Sequence, residues 1–105
     1  MFAVIYSFKI KPNCEAEFIK AWEDLTLLIY EFENSIGSRI HRKSEFEFIA
    51  YAQWPDEATF KDSGSNMPES AQPIRKIMRD CCEEITTLHE LEMVSDLLQT
   101  TVFED

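Results

Sequence analysis

The segment FEFIAYAQWP at residues 46–55 has the composition of a β-strand, but neither of its faces is polar. A half-buried strand alternates apolar and polar residues, because successive side chains point to opposite faces of the sheet. The two sets of alternate residues are Phe46, Phe48, Ala50, Ala52 and Trp54 on one face, and Glu47, Ile49, Tyr51 and Gln53 on the other. Both sets carry apolar bulk, so the strand needs a cover on each face.

The first ten residues repeat this pattern in a second predicted strand. In residues 2–10, FAVIYSFKI, one face holds the bulkier set, and the other holds Ala3, Ile5, Ser7 and Lys9. A chain of 105 residues forms one domain and buries only about two thirds of the surface that its unfolded chain exposes. Covering both faces of such strands is a large demand on so small a core.

Apolar periodicity predicts helices between the strands. Phe18, Trp22, Leu25, Ile29 and Phe32 recur at spacings of four and three, which is one stripe of a helix. The same patterns predict strands over 2–10, 38–43, 46–55 and 84–94, and helices over 14–34, 55–61 and 73–83. This order predicts an α+β protein with the ferredoxin-like βαββαβ fold, in which helices lie on one side of a four-stranded antiparallel sheet.

Helices on one side of the sheet leave the second apolar face of residues 46–55 without a cover in this chain. Two sheets packed face to face would bury that face, and closed two-fold dimers are the commonest oligomers. The strand pattern therefore predicts a homodimer. The tail contains β-branched and aromatic residues over 97–103, and we expect a short extra strand there.

The charge balance excludes two classes of partner. Lys and Arg number 10 and Asp and Glu number 20, so the formal net charge is −10, which opposes binding to nucleic acid and to anionic membranes. No apolar stretch approaches the roughly 20 residues of a membrane-spanning helix, and the N-terminal MFAVIYSFKIK lacks the basic leader of a signal peptide. Three cysteines without a CxxC spacing fit a reducing cytoplasm better than a disulfide framework.

Three segments taken together, FAVIYSFKIKPNCEAEFIKAW, GSRIHR and FIAYAQWPDEATF, resemble the antibiotic biosynthesis monooxygenase (ABM) domain family. The resemblance implies a single ABM-like domain over 1–105, folded as a dimeric α+β barrel. It also implies that the C-terminal tail, about residues 95–105, reaches the dimer mate. Some members of the family oxidise quinols or phenols with dioxygen and no metal or flavin, so the resemblance implies no cofactor.

The haem-degrading branch of the family is not matched. That branch uses an Asn in the first strand, a Trp after the strand-three helix and a His further on. The aligned residues here are Ser7 and Ser63, and residues 64–83 contain no His. The resemblance favours a monooxygenase acting on an aromatic or quinol-like small molecule. The alternative is a non-enzymatic ligand-binding or structural homodimer of the same fold.

Oxygenation without a cofactor needs a general base, because triplet dioxygen reacts slowly until the substrate is a phenolate or enolate. His41 and His89 are the two histidines and hence the candidate catalytic bases. His41 shares its strand with Arg39, which could stabilise a substrate anion, but a solvated basic strand edge also explains both residues. His89 shares its alternation with Ile85 and Leu91, and it could face a cavity or pack as a core or interface residue.

Four more residues join Arg39 in the predicted substrate-binding set. Tyr51 and Trp54 could stack on a flat ligand, although aromatic core packing also explains them. Ser7 and Gln53 are small polar groups on otherwise apolar strands and could orient a substrate. No metal site is predicted, because the two histidines are distant and neither HxxH nor CxxC spacing occurs.

Overall fold

The computed structural model describes residues 1–102. Its elements are β1 (Phe2–Ile10), α1 (Glu15–Phe32), β2 (Gly37–Ser44), β3 (Glu47–Trp54), α2 (Glu57–Lys61), α3 (Ala71–Asp80) and β4 (Cys82–Glu92). The strands form one antiparallel sheet in the order β2-β3-β1-β4. The predicted α+β, ferredoxin-like arrangement is confirmed, with element limits displaced by at most three residues.

The helices α1 and α3 cover one face of the sheet. Phe18 of α1 is completely buried and lies between Phe8 and Phe48, at ring-centroid distances of 5.2 and 5.7 Å. A second cluster forms around Phe2 and Trp54 at the other end of the strands. The bulkier set of each apolar strand therefore faces the helices, as packing around one core requires.

The opposite face of the sheet, which we call the helix-free face, also carries apolar side chains. Its members follow from the pairing of β1 with β3 and β4, and the apolar ones are Ala3, Ile5, Ile49, Tyr51 and Leu91. No helix of residues 1–102 packs on this face. The one-sided cover predicted from residues 46–55 is confirmed for the chain as described.

A β-bulge in β4 changes which face its residues occupy. Ile5 pairs with His89 but the next residue, Tyr6, pairs with Thr87, so Leu88 is the extra residue of a bulge. His89 therefore lies on the helix-free face, opposite to Ile85. The shared face predicted for Ile85 and His89 is wrong, because strict alternation does not survive an inserted residue.

The tail after β4 forms no strand over residues 93–102. The extra strand expected over 97–103 is therefore wrong as far as residue 102, and Phe103 lies outside the described residues. Val94, Leu97, Leu98 and Val102 are each at least 71% exposed, because within this chain they have no neighbouring strand with which to pair. None of the helices in residues 1–102 has the length and hydropathy needed to cross a bilayer.

Candidate functional site

A cavity of about 280 Å³ lies between the sheet and the helices. All four strands contribute to its floor, and α1 and α3 form its walls. The lining is mainly apolar and aromatic and consists of Tyr6, Phe8, Trp22, Leu25, Thr26, Ile29, Ser35, Ser38, Ala52, Trp54, Arg75, Met78 and Ile85. Apolar walls with a few polar groups are typical of small-molecule sites.

Trp54 contributes a hydrogen-bond donor that has no partner. The residue ends β3, is 4% exposed and stands edge-on to Phe60 at a centroid distance of 5.5 Å. Its Nε1 is the one buried side-chain nitrogen or oxygen within residues 1–102 that makes no hydrogen bond. Buried indole N–H groups normally have an acceptor, so a residue of the cavity lining carries a donor that is left without one.

Tyr6 contributes a second donor on the floor of the cavity. Burial raises the pKa of its phenol, and the charge of Glu90 raises it further. The side chain belongs to β1 and lies on the same face as Phe8, next to Trp54 in the cavity lining. With a raised pKa the hydroxyl keeps its proton at neutral pH and can donate it in a hydrogen bond to a ligand.

A smaller cavity of about 200 Å³ adjoins the first one. The two share four lining residues, which are Tyr6, Ile29, Trp54 and Arg75. The guanidinium of Arg75, on α3, forms no ion pair with any of residues 1–102. A positive charge at the junction of the two cavities favours an anionic group in the larger cavity, whereas the carboxylate of Glu33 opposes one in the smaller cavity.

The carboxylate of Glu33 closes the smaller cavity. Glu33 follows α1 and is 4% exposed, and Asn34 beside it takes a left-handed φ of 62° that turns the chain. The carboxylate accepts hydrogen bonds from the Gly64 N–H and from Asn66 Nδ2, the latter at 3.0 Å. Glu33 thereby fixes the loop between α2 and α3 over the cavity, which satisfies the need of a buried carboxylate for donors.

Of the predicted site residues, only Trp54 lines either of these two cavities. The others lie on the helix-free face, where cross-strand pairing brings several of them together. One transverse row runs Arg39, Tyr51, Ile5 and His89. A mixed row of basic and aromatic side chains does form, but on the face opposite to the cavity.

The remaining predicted residues occupy the adjacent rows of the helix-free face. His41 pairs with Ile49 on the edge strand β2 and is exposed. Ser7 is buried and its hydroxyl donates to Glu47 at 2.7 Å, and the Tyr51 hydroxyl donates to Gln53 at 3.4 Å. The role of His41 and His89 as general bases therefore stays a prediction, because neither histidine lines one of the two cavities.

Tyr6, Arg75 and Glu33 are candidate functional residues that the sequence patterns did not single out. The alternation of β1 contained the signal for Tyr6, because it has the same parity as Phe2 and Phe8. Arg75 and Glu33 stand on polar stretches of predicted helices and resemble solvated surface residues. Their positions depend on tertiary packing, which local periodicity does not report.

The comparisons with known proteins agree with this fold. The family model described as "Antibiotic biosynthesis monooxygenase" matches residues 1–66. SnoaB, a cofactor-independent oxygenase from Streptomyces nogalater, is similar in structure with a TM-score of 0.71 at 13% identity, over 93% of this chain and 97% of SnoaB. No curated protein matches the chain.

Two further solved structures extend the comparison. A Caulobacter crescentus protein classed with these monooxygenases has a TM-score of 0.73 at 17% identity, over 90% of each chain. One from Bordetella bronchiseptica has a TM-score of 0.70 at 19% identity, over 90% of this chain and 97% of the other. Identities this low show the shared fold, while the family model covers more than half of the sequence. The chain belongs to the antibiotic biosynthesis monooxygenase family.

Proposed function

We propose that the protein is a monooxygenase that oxidises an aromatic or quinol-like small molecule with dioxygen in the cavity between sheet and helices, without a cofactor. The observation that carries this proposal is the unpartnered, buried Nε1 of Trp54, a residue that lines the apolar and aromatic cavity. A phenol or quinol supplies both a flat apolar ring for the walls and an oxygen for this donor. Family membership and the similarity to a cofactor-independent oxygenase support the same reaction class.

The donors in the cavity suit a substrate that reacts as an anion. Trp54 Nε1–H, the Tyr6 hydroxyl and the Arg75 guanidinium can all stabilise a phenolate or enolate oxygen, which lowers the pKa of the bound substrate. The anion then passes an electron to dioxygen. With a quinol, one oxygen atom enters a ring C–H bond as a hydroxyl, the ring is oxidised to the quinone level and the other oxygen leaves as water, so the substrate supplies all four electrons that reduce dioxygen.

The proton of the substrate needs an acceptor, and this requirement is the reason to consider a second function, non-enzymatic ligand binding. Neither His41 nor His89 lines the cavity, so the residues there stabilise an anion without an imidazole to receive its proton. We propose that the proton passes to solvent at the open side of the cavity. If no such transfer occurs, the same donors make a non-enzymatic binding site for a phenolic ligand.

We also propose that the protein is a homodimer whose helix-free faces pack together. Ile5, Ile49, Tyr51 and Leu91 give that face apolar bulk without a helix to cover it. A mate would bury them and would place the row of Arg39 and His89 at the interface. The tail, described as far as residue 102, has exposed apolar side chains that could reach the same mate.

Dioxygen uptake tests the enzymatic proposal. Purified protein is screened against phenols and quinols in an oxygen electrode, with and without added flavin, and isotopically labelled dioxygen shows whether one oxygen atom enters the product. We expect uptake that does not depend on flavin. Uptake only with flavin would contradict the proposal. Ligand binding without uptake across the panel would favour the non-enzymatic alternative.

One pair of variants tests whether that activity depends on the cavity, and a third variant tests a base outside it. Trp54→Phe removes the indole N–H but keeps an aromatic ring, and we expect about a hundredfold loss of kcat/KM, as for loss of an oxyanion donor. Trp22→Phe, which removes the other tryptophan of the lining, is the matched control and should retain most of the activity. His41→Ala tests the hypothesis that His41 is the general base. Retained activity would exclude this role, and loss of activity in an intact dimer would support it.

A further inference from the structure

Two thiols and a carboxylate meet at one end of the molecule, away from the cavity. One ligand atom each of Cys14, Glu17 and Cys81 lies within 4.8 Å of the other two. Cys14 stands at the start of α1, Glu17 follows in its first turn, and Cys81 ends α3. None of the three lines the cavity between sheet and helices. The chain separates Cys14 from Cys81 by 67 positions, so only the fold brings them together.

None of the three side chains in the cluster carries a positive charge. Burial raises the pKa of the Cys81 thiol to about 11, and the charge of Glu17 adds to this effect. Burial likewise raises the pKa of Cys82 to about 11, while Lys11 acts in the opposite direction. Thiols of this kind stay protonated at neutral pH and are poor nucleophiles. A bound cation would change this balance, because metals bind the deprotonated thiol and release its proton to solvent.

We infer that Cys14, Cys81 and Glu17 form a binding site for a thiophilic divalent cation of the zinc class. Two thiolates and one carboxylate make three of the four ligands of a tetrahedral site, and water completes it. Ligand atoms in such sites are about 3.5–3.8 Å apart, as metal–ligand distances of about 2.0–2.3 Å require. Small rotations of the half-buried Cys14 and the exposed Glu17 would bring the three groups from 4.8 Å to this spacing.

The site would join the two helices that form the cavity walls. Cys14 and Glu17 belong to the start of α1, and Cys81 belongs to the end of α3. A cation that binds only the folded chain stabilises it by mass action. Occupancy would therefore fix the separation of α1 and α3 at this end, without contact between the metal and a molecule in the cavity.

Cadmium is the probe for the first test, because thiolate–cadmium bonds absorb in the ultraviolet. The full chain is titrated with Cd²⁺ in a non-thiol reductant, and we expect one ion per chain with a charge-transfer band. Cys14→Ser should weaken binding by at least about tenfold, the loss seen when even an outer-shell partner is removed. Glu17→Gln should weaken it less, and Cys82→Ala is the matched control that should leave it unchanged.

Thermal unfolding with Zn²⁺ gives a second measurement on the same variants. The melting temperature should rise with Zn²⁺ in the wild type and in Cys82→Ala, but not in Cys14→Ser. Circular dichroism of the metal-free proteins checks that each variant is folded before titration. Equal binding and an equal temperature rise in the wild type and Cys14→Ser would overturn the proposed site. Binding that disappears in Cys82→Ala and persists in Cys14→Ser would overturn it as well.

Discussion

Both faces of the sheet carry apolar side chains, with the bulkier set on the side of the helices, but the faces differ in what covers them. On one face Phe8 and Phe48 pack against Phe18 of α1, and the cavity opens between the same layers. On the helix-free face Ile5 and Tyr51 are only half-buried, and no helix of residues 1–102 lies over them. The difference separates two tasks: one face contains the core and the cavity, and the other is available for assembly.

Ile5→Asp tests the assembly role and has the largest expected effect. The change puts a charge at the centre of the helix-free face in each copy, and an unpaired buried charge costs several kcal/mol. We expect the dimer to dissociate completely at micromolar concentration in light scattering. Leu27→Asp is the control, because Leu27 is 67% exposed on α1. Dissociation by Leu27→Asp instead would place the interface on the helical side.

Phe18→Ala tests the covered face. The side chain is fully buried between two other phenylalanines, so its removal should lower the free energy of unfolding by about 3–5 kcal/mol. Urea denaturation monitored by circular dichroism measures the loss. Phe46→Ala is the control, because Phe46 is 43% exposed in the turn before β3, and it should have a much smaller effect. Equal losses for both would contradict the described core.

Tyr6→Phe and Tyr51→Phe each remove one hydroxyl group, and their activities compare the two faces of the sheet. Tyr6 lies in the cavity and Tyr51 on the helix-free face. If the Tyr6 hydroxyl donates to the substrate oxygen, its removal should lower kcat/KM by about tenfold, or ~1.4 kcal/mol. Tyr51→Phe should leave the rate within about twofold, which is less than ~0.5 kcal/mol. A larger loss for Tyr51→Phe would move the reacting site to the helix-free face.

The smallest expected effect is on the way the free energy of unfolding changes as the pH falls from neutral to acid. The hydrogen bond from Ser7 lowers the pKa of Glu47 below its usual 4.5, with help from the charges of Lys43 and Lys9. A lowered folded-state pKa stabilises the protein above the unfolded-state pKa, and this contribution disappears as the pH falls through the folded-state value. Ser7→Ala should therefore lower stability at neutral pH and differ less from the wild type below pH ~4.5.

Chemical denaturation at several pH values measures this difference between Ser7→Ala and the wild type. Ser65→Ala is the control, because Ser65 is exposed and its hydroxyl contacts only a backbone carbonyl. Its effect should not depend on pH. A deficit for Ser7→Ala that stays constant from neutral to acid pH would show that the hydrogen bond to Glu47 does not control this carboxyl.

Local patterns were sufficient to predict the fold. The stripe from Phe18 to Phe32 predicts α1, and the two apolar faces of residues 46–55 predict a sheet covered on one side by helices. Both signals depend on side-chain periodicity, which the main elements preserve. The tail failed because its composition favours a strand without supplying a neighbour for it to pair with.

The site was predicted less well, because its residues meet only through tertiary structure. Trp54 was found since it ends an apolar strand, but the buried position of Glu33 depends on the loop that donates to it. His89 was misplaced because a bulge is invisible to a strict period of two. The proximity of Cys14 and Cys81 likewise depends on how α1 and α3 pack.

The bulge at Leu88 also affects how sequences of this family should be aligned. Deleting Leu88 would only remove the bulge and leave His89 opposite Ile5, whereas regular pairing of Leu88 itself with Ile5 would turn the following part of β4 over, so that His89 and Leu91 would point to the helices and Glu90 away from them. The imidazole of His89 would then lie on the side of the cavity, whose lining contains no histidine. Relatives that pair this segment without a bulge could thus exchange an acid–base group for an apolar surface while keeping the same letters in their strands.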